Sequence, residues 1–155
     1  MALGMATTPK RSLSRSAARL AAVQALYQQE MEGTGTAHLL HEFHHHRLGH
    51  SIDGVDYAEA EVDFFDDVVT GAEARRGELD ALIAGRLAEG WSLARLDKPM
   101  KAILRAGAYE LAARPDVPTA SVISEYVDVA KAFYDAREAG FVNGLLDALA
   151  KELRR

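Results

Sequence analysis

The segment from residue 115 to residue 149 constrains the fold most strongly, because its apolar residues recur at helical spacing throughout. In its first half the apolar positions form one broad face, made by Val122, Ile123, Tyr126, Val127, Val129, Ala130, Phe133 and Tyr134. In its second half they form a narrower stripe, made by Val142, Leu145, Leu146 and Leu149 and continued by Leu153. A repeat of about 3.6 residues indicates an amphipathic helix in each half. Pro118 and Thr119 predict the start of the first helix, and Gly140 predicts a break before the second.

The rest of the chain also has helical rather than strand-like periodicity. We therefore predict an all-α fold of about seven helices joined by short loops. The first helix is expected to begin at Ser14 or Ser16 and to end at Gly33, where glycine suits a helix C-terminus. Asp97, followed by Pro99, is expected to open a later helix.

A break near Gly77 is the predicted seam within a single domain that covers residues 1–155. It separates an N-terminal helical subdomain, residues 11–77, from a C-terminal one, residues 78–155. Residues 1–10 are small, polar and aperiodic, so we expect them to be disordered.

Two further stripes predict which side chains are buried. On the first helix the stripe consists of Leu20, Val23, Tyr27 and Met31. On the helix after Asp97 it consists of Met100, Ile103, Leu104, Gly107 and Leu111, and the glycine should let another helix approach closely. Lys101, Arg105 and Glu110 fall outside that stripe and are expected outside the core. The only tryptophan, Trp91, is expected to anchor one subdomain to the other.

Composition limits the class of protein. A chain of 155 residues can form the core of one domain, and the absence of cysteine excludes disulfides and thiolate metal sites. No apolar run approaches the ~20 residues that a membrane span needs, and no signal-peptide core precedes a cleavage site. We therefore expect a soluble, cytoplasmic protein with no membrane partner.

The charge of the chain is unevenly distributed. The net charge is -5, but residues 1–19 contain Lys10, Arg11, Arg15 and Arg19 and no acid. The other 14 Lys and Arg stand against 23 Asp and Glu, so the remainder has a net charge of -9. An acidic body with one basic end can still bind a polyanion locally.

Arg15 and Arg19 are four positions apart, so on a helix their guanidinium groups should point to the same side, away from the core. Guanidinium groups match phosphate oxygens in a bidentate geometry, and each neutralised phosphate releases counterions. Such a cluster on the N-terminal helix can bind RNA. Charge alone, however, favours the alternative, because a short basic run at a chain end is most often solvated and binds nothing.

All six histidines lie within residues 36–50. His38, His41 and His45 would share one face of a helix, which is a spacing that suits a divalent metal ion. Neither a cysteine nor a second group of ligands accompanies them. We therefore expect a solvated helix surface, with no metal ion and no other cofactor.

No pattern for catalysis is present. The chain has no glycine-rich phosphate loop after a strand and no nucleophile-elbow sequence. Adjacent acids such as Asp66 and Asp67 point in different directions on a helix, so they do not form a general acid/base pair. We predict a binding module and not an enzyme.

Five ordered motifs resemble one known family. They are AVQALYQQE at 22–30, KAILRAGAYEL at 101–111, VP at 117–118, SEYVDVAKAF at 124–133 and FVNGLLDAL at 141–149. In this order and at this spacing they resemble NusB, a family of bacterial transcription antitermination factors. The resemblance implies two packed three-helix bundles. It also implies binding of boxA-type single-stranded RNA together with the ribosomal protein NusE, in support of RNA polymerase and other Nus factors on ribosomal RNA operons.

The resemblance also suggests site residues. An arginine-rich N-terminal segment contributes to RNA binding in this family, and Arg15 and Arg19 occupy matching positions. Ser16 and Ala17 stand where many relatives have further arginines, so the cluster is thinner and the predicted affinity is weaker or more dependent on a partner.

Three more residues complete the predicted RNA site. Lys10 and Arg11 are expected to make secondary electrostatic contacts. Phe141 is expected to stack on an unpaired base, although an interior position at a helix start is the alternative for this residue.

Two other classes of function remain open. A related helical domain precedes a catalytic domain in a family of ribosomal RNA cytosine methyltransferases, but 155 residues are expected to leave no room for a cofactor-binding sheet. A protein-only helical adaptor, or a homodimer with an incidental basic end, is the other alternative. The sequence does not indicate which acidic residues contact NusE, although the acidic body complements a basic ribosomal protein.

Overall fold

The computed structural model describes the backbone of residues 7–46 and 59–154, with side chains for residues 15–45 and 61–154. These residues form seven α-helices, one 3-10 turn at Leu93–Arg95 and no strand. The helices are α1 (Thr7–Glu32), α2 (Thr36–His46), α3 (Glu59–Ala74), α4 (Arg76–Ala84), α5 (Lys98–Ala113), α6 (Thr119–Phe133) and α7 (Ala136–Leu153). The predicted all-α fold of about seven helices is confirmed.

Helix α5 lies at the centre of the fold and packs against α1, α3, α4, α6 and α7. Every residue from 102 to 111 is buried. Asp97 caps the helix, because its carboxylate accepts a hydrogen bond from the backbone nitrogen of Met100 at 3.1 Å. A Cβ at Gly107 would lie 2.9 Å from a δ-carbon of Leu146, so this glycine lets α7 pack directly against α5, as predicted.

The helices form two groups of three. Helices α1, α2 and α3 pack together, as do α5, α6 and α7, while α4 contacts α3, α5 and α7. Contacts of α1 with α5 and α6, and of α3 with α5, join the two groups. Helix α3 ends at Ala74 and α4 begins at Arg76, close to the predicted seam at Gly77. The boundary between residues 77 and 78 stays a prediction.

The ends of two helices differ from the sequence prediction. Helix α1 begins at Thr7, so residues 7–10, which were expected to be disordered, are helical, whereas residues 1–6 lie outside the described part of the chain. Helix α7 runs unbroken through Gly140. A single glycine costs a helix only about 1 kcal/mol, and the buried Ala139 and Val142 on either side of Gly140 hold the helix in place.

The buried face of α1 consists mostly of alanines rather than the predicted stripe. Its buried apolar residues are Ala18, Ala21, Ala22, Val23, Ala25 and Leu26. Val23 was predicted correctly, but Leu20 and Tyr27 are half-buried and Met31 is 54% exposed. Small side chains let α3 and α5 pack close to α1. The buried face of α1 therefore lies on its alanine side and not on the side of Leu20, Tyr27 and Met31.

The buried face of α6 is also narrower than predicted. Val122, Tyr126, Val129 and Ala130 are buried, whereas Phe133 at the end of the helix is 36% exposed.

Two charged side chains of α5 that were expected outside the core are inside it. Glu110 is fully buried and Arg105 is 8% exposed. Arg105 donates hydrogen bonds to Asp80 at 2.7 and 3.0 Å and to Glu30 at 2.6 Å, which links α5 to α4 and α1. Because helices surround α5 on all sides, even positions outside its apolar stripe are buried, and ion pairs offset the cost of desolvation.

In the described ranges, no helix combines the length and the apolar composition that crossing a membrane requires.

Candidate nucleic-acid interface

Arg15 lies on α1 with 30% of its side chain exposed. Its Nε donates to Oε2 of Glu61 at 3.4 Å, and its guanidinium carbon lies 4.5 Å from the centroid of the Phe64 ring on α3. Within the part of the chain that the structure describes, its two terminal nitrogens donate no hydrogen bond. Arg15 therefore retains donors that can bind a phosphate oxygen.

Arg19, one helical turn further along α1, is buried. Only 4% of its side chain is exposed. Its Nε and Nη2 donate to the two carboxylate oxygens of Glu110 at 2.8 and 3.0 Å, and its Nη1 donates to Glu125 at 3.1 Å. The expectation that Arg15 and Arg19 both point away from the core is therefore wrong for Arg19, because α5 and α6 cover it and supply its partners.

The hydrogen bonds to Glu110 affect the pKa values of Arg19 and Tyr126. Burial alone lowers the pKa of Arg19, but the hydrogen bonds and the charge of Glu110 outweigh burial, and the pKa is raised overall. The hydroxyl of Tyr126 donates to Glu110 at 2.5 Å, and burial together with the charge of Glu110 raises the pKa of Tyr126 well above its ordinary value. The Glu110 carboxylate thus accepts hydrogen bonds from a charged arginine and a neutral tyrosine.

Three guanidinium groups surround one buried aromatic ring. The ring of Phe64 is 2% exposed, and the guanidinium carbons of Arg15, Arg19 and Arg114 lie 4.5, 4.8 and 5.0 Å from its centroid. Aromatic faces attract cations, so the ring helps to hold all three in place. Arg114 was not predicted from the sequence, since it lies 50 positions from Phe64 and no local pattern connects them.

Arg114 is held by two acids as well as by the ring. It pairs with Asp67 at 3.0 Å and with Asp116 at 2.9 Å, and 23% of its side chain is exposed. The hydrogen bond to Asp116, the largest effect on this group, raises the pKa of Arg114. The charges of Arg15, Arg19 and Arg114 are therefore all paired with neighbouring carboxylates, which limits what these three side chains can offer to an RNA backbone.

Phe141 lies on α7 and is 37% exposed. Its neighbour Val142 points into the core and is fully buried. The alternatives for Phe141 were a surface position and an interior position at a helix start. The structure has it at the surface, as the sixth residue of α7. Its ring forms part of the wall of a groove that also contains Trp91 and Tyr134.

The structure brings the predicted residues together only in part. Arg15 and Arg19 meet at the ring of Phe64, whereas Phe141 lies on α7 and lines the groove that contains Trp91 and Tyr134. Lys10 and Arg11 belong to α1, but their side chains lie outside the described residues.

Trp91 is not the buried anchor that was expected. It lies in the connection between α4 and α5 and is 58% exposed. The guanidinium carbon of Arg95 lies 5.7 Å from the centroid of its ring system. The subdomains are joined by buried contacts of α5 with α1 and α3, so that no tryptophan is needed between them.

Residues 36–46 of the histidine segment form helix α2, and His38, His41 and His45 are exposed on it, as expected for a solvated surface. The rings of His41 and His45 lie 4.1 Å apart, and His44 pairs with Asp66 on α3 at 2.6 Å. Among the residues that the structure describes, no group of three or more His, Cys, Asp or Glu side chains is arranged to hold a metal ion.

Comparison with known proteins identifies close relatives of this chain. The model of the NusB family matches residues 16–151. The transcription antitermination protein NusB of Sphingopyxis alaskensis is 66% identical over 146 residues, which cover 94% of this chain and 98% of the relative.

Solved structures share the fold. A structure of NusB from T. maritima has a TM-score of 0.77 and 30% identity, and the match covers 91% of this chain and 93% of that one. A chain from the crystal structure of antitermination factors NusB and NusE in complex with dsRNA has a TM-score of 0.73 and 25% identity, with 90% of this chain and 97% of that one covered.

Proposed function

The chain belongs to the NusB family, and from this premise we propose that it is a transcription antitermination factor that binds boxA-type single-stranded RNA together with the ribosomal protein NusE. In this role it supports processive transcription of ribosomal RNA operons by RNA polymerase with other Nus factors. The proposal depends mainly on the family match over residues 16–151. This range includes parts or all of the seven helices and leaves out only the first turns of α1 and the last residues of α7.

The partners follow from the same premise. A structural relative was crystallised with NusE and dsRNA, and this chain shares its fold along nearly the whole length. The acidic body of the protein, with a net charge of -9 beyond residue 19, suits a basic ribosomal protein. We place the protein in the cytoplasm, where transcription occurs in bacteria, and assign it binding rather than catalysis.

The proposed RNA contacts are divided between two regions. Arg15 contacts a phosphate through its terminal nitrogens, which donate to no other residue that the structure describes, and Lys10 and Arg11, earlier on the same helix, add electrostatic attraction. Phe141 stacks on an unpaired base, which its 37% exposure permits. Arg19 has a different role: its ion pairs with α5 and α6 hold α1 in place, and thereby position Arg15.

The test is a titration of a fluorescently labelled boxA RNA with the full chain, alone and with NusE. We expect tighter binding when NusE is present, and weaker binding to an RNA of the same length with a scrambled sequence. A duplex of the same sequence provides a second control, because stacking on Phe141 needs unpaired bases. Equal affinity for all three RNAs, or no effect of NusE, would contradict the proposal.

The same samples distinguish the alternative of a homodimer. Light scattering on the chain alone, and on the chain with NusE and RNA, gives the mass of each species. A stable homodimer that excludes NusE and RNA would favour the protein-only alternative.

A further inference from the structure

A groove of about 500 Å³ lies between α7 and the connection from α4 to α5. This size falls within the range of small-ligand clefts, roughly 300–1,000 Å³. Two exposed aromatic residues, Trp91 and Phe141, line it together with the buried Met100. Trp91 contacts no ligand in the function proposed above, so this part of the groove has no role there.

The connection that carries Trp91 is ordered by its own contacts. Gly90 adopts a φ of +88°, a conformation that favours glycine, and the backbone nitrogen of Trp91 donates to the carbonyl of Ala88 at 3.0 Å. Nη1 of Arg95 donates to the carbonyl of Gly90 at 2.7 Å, while the guanidinium group lies over the indole. The indole is thus held at the surface by its neighbours, although 58% of it is exposed.

The charges that line the groove indicate what kind of ligand it suits. Arg95 and Arg137 are balanced by Asp97 and Glu138. Oδ1 of Asp97 is occupied, since it caps α5 and also accepts a hydrogen bond from the hydroxyl of Tyr134. A groove with no net charge and aromatic walls does not favour a phosphate. It favours a planar, neutral group such as a nucleobase.

We propose that this groove binds an unpaired RNA base beside the base that stacks on Phe141, with Trp91 as the stacking surface and Arg95 holding the indole in position. The inference rests on the proposed function, because it extends the path of the same RNA strand from α7 to the connection between α4 and α5. Aromatic side chains that take successive bases, supported by arginine, are the usual means of binding single-stranded RNA.

Trp91 is the only tryptophan of the chain, so its fluorescence reports directly on the groove. The full chain with NusE is titrated with labelled boxA RNA. Tryptophan emission and the anisotropy of the RNA label are followed together, and the emission of NusE alone is recorded as a blank. We expect quenching of Trp91 to saturate at the same RNA concentration as the anisotropy. Full RNA binding without any change in Trp91 emission would overturn the inference.

Substitution of Trp91 separates this inference from the proposed function. Trp91→Ala is expected to weaken RNA binding about tenfold, and Trp91→Phe to retain most of the affinity because a ring is still present. The salt dependence of binding should not change, since no phosphate contact is removed. Phe133→Ala is the matched control, because Phe133 is an exposed aromatic residue on α6 that does not line the groove.

RNAs with single abasic positions identify the base. For one abasic position, the loss of affinity for the parent protein should equal the loss that Trp91→Ala causes with the intact RNA. The same abasic RNA should bind Trp91→Ala no more weakly than the intact RNA does. If Trp91→Ala binds RNA as tightly as the parent while Phe141→Ala does not, the inference is wrong and the proposed function stands. If Trp91→Ala instead loses NusE in the absence of RNA, the groove is a protein-binding site and the inference is overturned. If the parent protein binds no RNA, both fail.

Discussion

The carboxylate of Glu110 on α5 accepts two hydrogen bonds from the guanidinium group of Arg19 on α1, at 2.8 and 3.0 Å, and both side chains are buried. The pair joins the N-terminal helix, which is expected to carry RNA contacts, to the central helix of the fold. Its geometry determines what substitution at either residue should do.

Arg19→Ala should destabilise the protein by about 3 to 5 kcal/mol, because it leaves the Glu110 carboxylate buried without its cation. The free energy of unfolding, measured by urea titration, tests this. Arg19→Lys should recover only part of the loss, since an ammonium group cannot make the bidentate pair. Replacement of both residues, Arg19→Met with Glu110→Leu, should be less destabilising than Arg19→Ala alone; an equal or larger loss would contradict this account.

Arg15→Ala should weaken RNA binding and reduce the dependence of log affinity on log salt concentration by about one unit or less, since one phosphate contact is lost. The measurement is the affinity for boxA RNA in the presence of NusE over a series of salt concentrations. Lys151→Ala is a matched control for the loss of one exposed positive charge, because Lys151 is 78% exposed on α7 and pairs only with Asp147 among the described residues. An unchanged slope for Arg15→Ala would remove this residue from the proposed phosphate site.

Phe141→Ala should lower RNA affinity about tenfold or more while leaving the melting temperature only slightly reduced. Stacking of a base on an aromatic ring contributes roughly 1 to 3 kcal/mol, and 1.4 kcal/mol is one decade of affinity. Calorimetric melting and RNA titration are run on the same sample, and Phe133→Ala, with 36% exposure on α6, serves as the control. A variant that unfolds, or one that is stable and binds RNA as the parent does, would exclude a stacking role for Phe141.

The stability of the protein should fall as the pH rises from about 10 to about 12. Burial, together with the hydrogen bond from its hydroxyl to Asp67 at 2.7 Å, raises the pKa of Tyr109 to about 12, against an ordinary value of about 10. A raised pKa means that folding favours the neutral phenol, so this contribution is complete below pH ~10 and is lost as the pH approaches ~12.

Urea unfolding across this pH range, with ultraviolet titration of the phenol groups, measures the effect of Tyr109. In Tyr109→Phe the loss of stability over the same range should be smaller, because one group that ionises on unfolding is absent. An identical pH profile for the parent and the variant would show that Tyr109 does not contribute to it.

Several features of this protein were determined by local sequence. The helical repeat predicted the all-α fold, and Asp97 was placed correctly as a helix cap because capping depends on residues within one turn. Gly107 was correctly identified as a point of close helix contact. The ordered motifs indicated the NusB family, which the comparisons confirm.

The tertiary structure decided which polar side chains are buried. Arg15 and Arg19 have the same local pattern, yet α5 and α6 cover Arg19 and leave Arg15 partly exposed. The partner of Arg19, Glu110, lies 91 positions away, so no periodicity within α1 reveals it. Helical spacing specifies the side of a helix on which a residue lies, but burial depends on which other helices pack against that side. For a central helix such as α5, which contacts five others, every side is covered.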